Sequence, residues 1–326
     1  MKILITGSSG HLGEALIRTF TQMQYQTVGI DIKPSEFTDK VGSIADRIFV
    51  RSCMQGIDYV IHTATLHKPH VVTHSKQDFI DTNITGTLNL LEESAANSVK
   101  SFVFTSTTST FGDALTPKTS SPAVWVDEKL TPLAKNIYGA TKIMAENLCR
   151  LFYRNHGLPI IVLKTSRFFP EEDDDRNMRN QYSDANIKVN EFLFRRVDIA
   201  DIVDAHIIAL NKAKDIGYEQ YVISATSPFL PTDLNEITTN APKVLKKYFP
   251  EYIETYAING WKMFPSIGRV YVNDKVRKEL GWQPKYDFKQ ILDCINQGKD
   301  YRSPLTLKIN IKGYHNVKFE DGPFPV

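Results

Sequence analysis

The chain has 326 residues, 42% of them hydrophobic and 23% charged, proportions of an ordinary globular protein and not of a disordered or membrane-embedded one. With 39 basic against 37 acidic side chains the net charge is only +2, so charge offers no case for nucleic acid or an anionic membrane as the partner. Cys53, Cys149 and Cys294 are few, odd in number and far apart, which argues against a disulfide framework or a structural zinc site and makes the cytoplasm the expected compartment.

Short apolar runs predict buried strands at Lys2 to Ile5, Thr27 to Ile30, Tyr59 to His62, Phe102 to Thr105 and Ile160 to Leu163. Helical spacing fills the gaps over Leu12 to Met23, Leu88 to Asn97 and Ile137 to His156, the last stopped by Gly157. Strands alternating with helices predict a parallel sheet built from βαβ units, a Rossmann-type doubly wound α/β fold. After Thr165 the texture changes. An acidic run, Glu171 to Asp175, leads to a helix near Ile199 to Leu210, a Pro-punctuated stretch from Ser227 to Pro265, and a tail with Gly313-Tyr-His and Asp321-Gly-Pro-Phe-Pro that reads as ordered loop. The expected division is a nucleotide-binding domain over 1–165 and a smaller, mostly substrate-binding domain over 166–326, with segments returning to the sheet.

The opening ILITGSSGHLG runs from a strand through Gly7, Gly10 and Gly13 into a helix. Glycine permits the tight turn and the close approach of backbone to a pyrophosphate, and the helix N-terminus presents free N–H groups to it. Asp31 closes the second strand, where an acid accepts hydrogen bonds from both adenosine ribose hydroxyls and repels a 2′-phosphate; this favours NAD over NADP.

Tyr138 and Lys142, in YGATK, are four residues apart and share a helix face. Bringing a tyrosine from about 10 to near 7 takes roughly 4 kcal/mol, within reach of a neighbouring ammonium and a positively charged nicotinamide. The phenolate then removes a hydroxyl proton as hydride leaves the same carbon. Upstream, FVFTSTTSTFG at 102–112 runs a strand into a hydroxyl cluster.

These segments, with DYVIHTAT at 58–65, NITGTLNLLE at 83–92, VDIADIVDAH at 197–206 and RKELGWQP at 277–284, resemble the extended short-chain dehydrogenase/reductases, and among them the NAD-dependent epimerase/dehydratase family. The resemblance covers nearly the whole chain. It implies that Thr107, Tyr138 and Lys142 are the catalytic trio. It implies a cofactor site of Gly7, Gly10, His11, Leu12, Gly13 and Asp31 at the phosphates and ribose, and Ser43 and Ile44 at the adenine. Thr63, Ala64, Thr65 and Asn83 complete that site, and Tyr138 and Lys142 also reach the cofactor. His67, Thr108, Arg167, Phe168 and Arg196 are the candidate substrate residues.

The chain departs from the family pattern after the strand at 160–163. LKTSRFFPEEDDD lacks the Asn and Gly-Pro usual there, and Phe194 stands where an Arg often precedes the Asp201 position. Five adjacent carboxylates repel a diphosphate unless Arg176, Arg179, Arg195 or Arg196 offset them. His67, His70 and His74 have spacing reminiscent of a metal site, but no carboxylates cluster with them and no metal is expected.

The leading expectation is an NAD-dependent sugar epimerase, its substrate possibly a nucleotide sugar, acting by hydride transfer through a keto intermediate. Thr108-Ser109 after Thr107, where dehydratases carry Asp-Glu, disfavours dehydration. The alternatives are an NAD-dependent dehydrogenase or reductase of a small polyol, sugar acid or carbonyl compound, and a non-catalytic dinucleotide-sensing protein. A carbohydrate-like small molecule is the expected partner, with no nucleic acid and no membrane. Relatives often pair the two helices that carry the apolar Leu91, Met144, Leu148 and Leu151 across a two-fold axis, so the resemblance implies a homodimer.

Overall fold

The computed structural model describes residues 1–315 and Phe319. The tail motif at 321–325 lies outside the described residues.

Seven strands form one sheet: β1 (Lys2–Thr6), β2 (Gln26–Asp31), β3 (Lys40–Val41), β4 (Tyr59–His62), β5 (Ser101–Thr107), β7 (Ile160–Thr165) and β8 (Tyr218–Ile223). Their order is β3-β2-β1-β4-β5-β7-β8, and the pairings from β3 through β7 are parallel. The strand order reverses beside β1, which is where an open α/β sheet leaves room for a ligand at the carboxyl ends of its strands. A second small sheet pairs β6 (Val124–Val126) with β9 (Arg269–Tyr271).

The fold is the expected doubly wound α/β type, but its two compact units are not cut at a single point. The first comprises residues 1–110, 134–165 and 202–221; the second comprises 111–133, 166–201 and 222–326. The segment 202–221 returns to the sheet unit as part of the helix Ile199–Ile216 and β8. The segment 111–133 belongs to the second unit because Phe111, Leu115 and Val126 pack with Val222 and Tyr271 in a core of their own.

In the first unit β1, β4, β5 and β7 are buried on both faces, which explains their near-continuous apolar runs. The helix Ile137–His156 begins at Asn136, whose side chain accepts the Gly139 N–H at 3.0 Å, and ends at Gly157 with φ +67°. The helices predicted at Leu12 to Met23 and Leu88 to Asn97 run over His11–Gln22 and Gly86–Ala96.

The second unit has a core of its own around Phe192, Phe229, Val244, Tyr256 and Phe288. Its helices include Asp184–Phe192, Leu234–Tyr248 and Phe288–Asn296. Much of the Pro-punctuated stretch is thus helical. Pro242 is tolerated because the chain kinks just before it, at Asn240 with φ −151° and ψ 67°. Asp201, from the family-like VDIADIVDAH, works within this unit as a clasp: its carboxylate accepts the Lys285 N–H at 2.8 Å and the Tyr286 N–H at 3.0 Å, and its carbonyl accepts the Trp282 indole N–H at 2.9 Å. No helix among the described residues is long and apolar enough to cross a membrane.

Candidate active site

At Gly7 and Gly13 the loop after β1 has no room for a side chain. Gly7 sits at φ +70°, and a Cβ there would lie 2.8 Å from the Ala64 backbone nitrogen. A Cβ on Gly13 would lie 2.0 Å from the Gly7 carbonyl oxygen. The Gly10 N–H donates to the Gly7 carbonyl at 3.0 Å and starts the helix His11–Gln22, in which His11 and Leu12 are buried. Asp31, at the end of β2, accepts the Ser9 N–H at 3.0 Å and the Lys33 N–H at 2.9 Å. The carboxylate is thus held at the mouth of the glycine turn. A bare backbone turn at a helix N-terminus beside a fixed carboxylate fits a dinucleotide's pyrophosphate and ribose.

Around that loop the strand ends are locked by hydroxyls. The Thr6 hydroxyl oxygen accepts the Thr63 and Ala64 N–H groups at 3.1 and 3.0 Å. His62 lies between Thr6 at 2.8 Å and Thr87 at 3.0 Å. The Thr87 hydroxyl proton goes to the Asn83 carbonyl at 2.7 Å, so His62 donates from Nε2 to Thr87 and accepts the Thr6 hydroxyl at Nδ1. Burial, reinforced by the Lys142 charge, keeps this imidazole well below its ordinary pKa and hence neutral. Ser43 accepts the Ala45 N–H at 3.2 Å, while Ile44 is buried and its carbonyl accepts from Asn89 at 3.0 Å.

Asn83 is fully engaged by protein. Its amide donates to the Leu66 carbonyl and the Thr141 hydroxyl, and its oxygen accepts from Leu66 N–H and the Thr65 hydroxyl, all at 2.9–3.0 Å. It ties the loop after β4 to the turn of helix that carries Tyr138 and Lys142.

Thr107, Tyr138 and Lys142 all fall in the first unit, at the end of β5 and the start of the helix Ile137–His156. Tyr138 is hydrogen-bonded to the Thr107 side chain; burial pushes its phenol up to about 12, and the Thr107 contact pulls the other way. Thr107 also accepts the Ser109 N–H at 3.1 Å, and Thr108 beside it is buried. Lys142 donates to the Thr105 carbonyl at 2.7 Å and lies 3.9 Å from the centre of the Phe104 ring. Burial pulls its amine down to about 7, opposed by the Glu146 charge. Thr105 in turn donates its hydroxyl to His206 Nε2 at 2.8 Å, since His206 Nδ1 donates to the Ile202 carbonyl. Burial brings His206 to about 4.

Below this trio lies a buried ion pair that motif reading did not single out. Lys164 on β7 contacts both Glu146 oxygens at 2.6 Å and the Thr110 hydroxyl at 3.2 Å. Ser106 donates to Glu146 at 2.5 Å, and Thr110 donates to the Thr107 carbonyl at 2.8 Å. The pair thus braces the Thr107 strand end against the helix two turns beyond Tyr138. A signal was available: Glu146 is one turn past Lys142, and a lysine in an otherwise apolar strand needs a buried partner.

His67 brings its ring edge-on to Tyr138, with centroids 6.5 Å apart, and continues into a row with His70 at 4.6 Å and His74 a further 5.1 Å on. The described residues hold no group of three or more His, Cys, Asp or Glu side chains placed to share an ion.

The remaining substrate candidates lie in the second unit, within its own packing. Arg196 is buried against Glu191 at 2.7 Å and donates to the Phe169 carbonyl at 3.0 Å. Arg167 reaches Asp173 at 2.7 Å, Glu191 at 3.2 Å and Asp174 at 3.4 Å. Phe168 is buried against Phe169, with ring centroids 4.2 Å apart. The acidic run is therefore not a loose repulsive patch. Asp173 and Asp174 are neutralised chiefly by Arg167, Glu171 accepts the Lys312 and Gly313 N–H groups at 3.2 Å, and Asp175 caps the next helix. Glu191, despite burial that would raise it, is held well below the usual carboxylate range by Arg167, Arg195 and Arg196.

A family model described as the NAD dependent epimerase/dehydratase family matches residues 3–224. The chain is 30% identical over 190 residues to an uncharacterized UDP-glucose epimerase of Bacillus subtilis, a match over 52% of this chain and about half, 56%, of that one. It is 25% identical to a UDP-glucose 4-epimerase of Rhizobium meliloti over 89% of this chain and 94% of the other. Among solved structures, the UDP-Glc/GlcNAc 4-epimerase of Campylobacter jejuni superposes with a TM-score of 0.64 at 20% identity, over 91% of this chain and 99% of that one. The glycine loop, the fixed acid and the length of the family match lead to one assignment: this chain belongs to the NAD dependent epimerase/dehydratase family, and NAD is its cofactor.

Proposed function

We propose that the protein is an NAD-dependent sugar epimerase, with Tyr138 as its proton-transfer group. The observation that carries this reading is the Thr107–Tyr138 hydrogen bond, with Lys142 one helical turn away. Thr107 orients the phenol, and its hydroxyl stands ready for the same substrate oxygen. The high pKa of Tyr138 in the structure means that it waits as a neutral phenol. It loses its proton only when positive charge is added beside it, which ties base strength to cofactor occupancy. NAD, when bound, supplies the acceptor and later the donor of hydride. Lys142, buried and donating to the Thr105 carbonyl, would hold a ribose hydroxyl of the bound cofactor. No carboxylate directly follows Thr107, which disfavours dehydration as the outcome.

The names of the relatives make UDP-sugars the first substrates to test. Incubation with a sugar panel is expected to yield an epimer with no net build-up of reduced cofactor. Accumulation of a ketone with matching reduced cofactor would instead establish the dehydrogenase alternative.

Pairing into a homodimer is part of the same proposal. Met144 and Leu151, one face of the helix Ile137–His156, are 51% and 43% exposed, whereas Leu91 is fully buried in its own core and drops out of the predicted interface. Replacing Met144 and Leu151 by lysine should convert the dimer to a monomer in light scattering; a wild-type monomer would end this part of the proposal.

A further inference from the structure

The second unit holds a cavity of about 330 Å³ that none of the site residues named so far explains. Its apolar wall includes Met178, Tyr182, Phe194 and Phe264. Phe194 and Phe264 meet edge to face at 6.3 Å, and Tyr182 meets Phe264 at 5.1 Å. Its charged lining consists of Arg195 and Arg269.

The two arginines differ. Arg195 is engaged by Glu191 at 2.7 Å, with Asp173 at 3.9 Å, inside a network in which Arg167, Arg195 and Arg196 answer Asp173, Asp174 and Glu191. Those charges cancel. Arg269 makes no ion pair among the described residues; its side-chain hydrogen bond is to Tyr271, and its buried Nε has no partner. Burial pulls this guanidinium below its ordinary pKa, against the opposing pull of Tyr271 and the Glu191 charge. The cavity therefore offers, beside a wall of rings, one guanidinium with no salt bridge among the described residues and a buried Nε left open. Its volume is at the small end of ligand sites, which run roughly 300–1,000 Å³.

We propose that this cavity is a ligand site of the second unit, and that the group it takes is an aromatic or apolar body carrying a single negative charge, a carboxylate, and not a nucleoside diphosphate. A diphosphate brings two charges to a wall that answers one. An aryl carboxylate places its ring against Phe194, Phe264 and Tyr182 and gives Arg269 the bidentate partner that a guanidinium fork suits. This binding chemistry does not depend on the epimerase reading.

The test is direct binding to the full chain by calorimetry, using para-carboxyphenyl glucoside, phenyl glucoside and UDP-glucose. The carboxyphenyl glucoside should bind at least ten-fold more tightly than the neutral glucoside and more tightly than UDP-glucose. Arg269→Gln should erase the preference for the charged glycoside, and Arg269→Lys should retain part of it, while NAD affinity in both variants stays at the wild-type value and reports that the chain is folded. Tighter binding of UDP-glucose, or a charge preference that survives Arg269→Gln, would overturn the proposal. An absence of epimer formation with the binding pattern intact would sink the epimerase reading alone.

Discussion

Each unit buries a carboxylate deep in its packing, and the two are held in opposite ways. Glu146 in the sheet unit has a single ammonium, Lys164, plus a serine hydroxyl. Glu191 in the second unit is shared by three guanidiniums. A buried charge must be answered, but the manner decides what else it does. The lean pair in the sheet unit leaves its field free to act on Lys142, whose amine Glu146 pushes up against burial. The crowded network closes on itself and neutralises the acidic run around it. One carboxylate acts on a candidate catalytic lysine, while the other sits among the arginines that offset a sequence of like charges.

The difference can be broken or sharpened in order of expected effect. Tyr138→Phe removes the proton-transfer group without touching either carboxylate; turnover should fall by about 100-fold or more with NAD affinity preserved, and near-wild-type turnover would remove Tyr138 from its role. Glu191→Ala takes the carboxylate from the buried Arg196 and from the partly exposed Arg195, and should destabilise the chain by about 3–5 kcal/mol, read as a drop in the denaturation midpoint. Gly7→Ala pushes a Cβ into the Ala64 backbone and forces a positive φ on alanine, so NAD affinity should drop at least ten-fold in a titration while the second unit's cavity still binds its ligand. Glu146→Gln weakens the support of the Lys142 charge, so the limb of the pH–rate profile that follows Lys142 should move to lower pH, whereas Glu191→Gln should leave that limb in place. The smallest effect concerns stability against pH. Lys142 is lowered from 10.5 to about 7 by burial, so its contribution is complete above 10.5 and is lost as pH falls through about 7. Between those values stability of the NAD-free protein should rise with pH, and Lys142→Met should flatten the slope in denaturant titrations.

The second unit also shows where motif reading loses its grip. The carboxylates at 171–175 look repulsive in the sequence because nothing in their spacing shows that the chain folds back to bring Arg167 onto Asp173 and Asp174. Phe194 looks like a missing arginine, yet in space it joins Phe264 and Tyr182 in one wall. Arg269 has no motif around it and draws attention only through its buried Nε, which has no hydrogen-bond partner.

In the sheet unit local rules carried most of the information. Strand and helix period, the Gly7–Gly13 loop, the Asp31 strand end and the YGATK turn are short-range patterns, each dictated by backbone sterics or by the 3.6-residue repeat, so sequence alone determined the doubly wound sheet and the Thr107, Tyr138 and Lys142 constellation as candidates. What only the tertiary structure decided was charge and its partners: which guanidinium answers which carboxylate, that His62 is neutral and carries its proton on Nε2, that Lys142 is pulled down while Tyr138 is pushed up, and that Arg269 Nε is left without a hydrogen-bond partner. Electrostatic energy depends on burial and on distances between residues far apart in the chain, and neither is encoded in spacing along it.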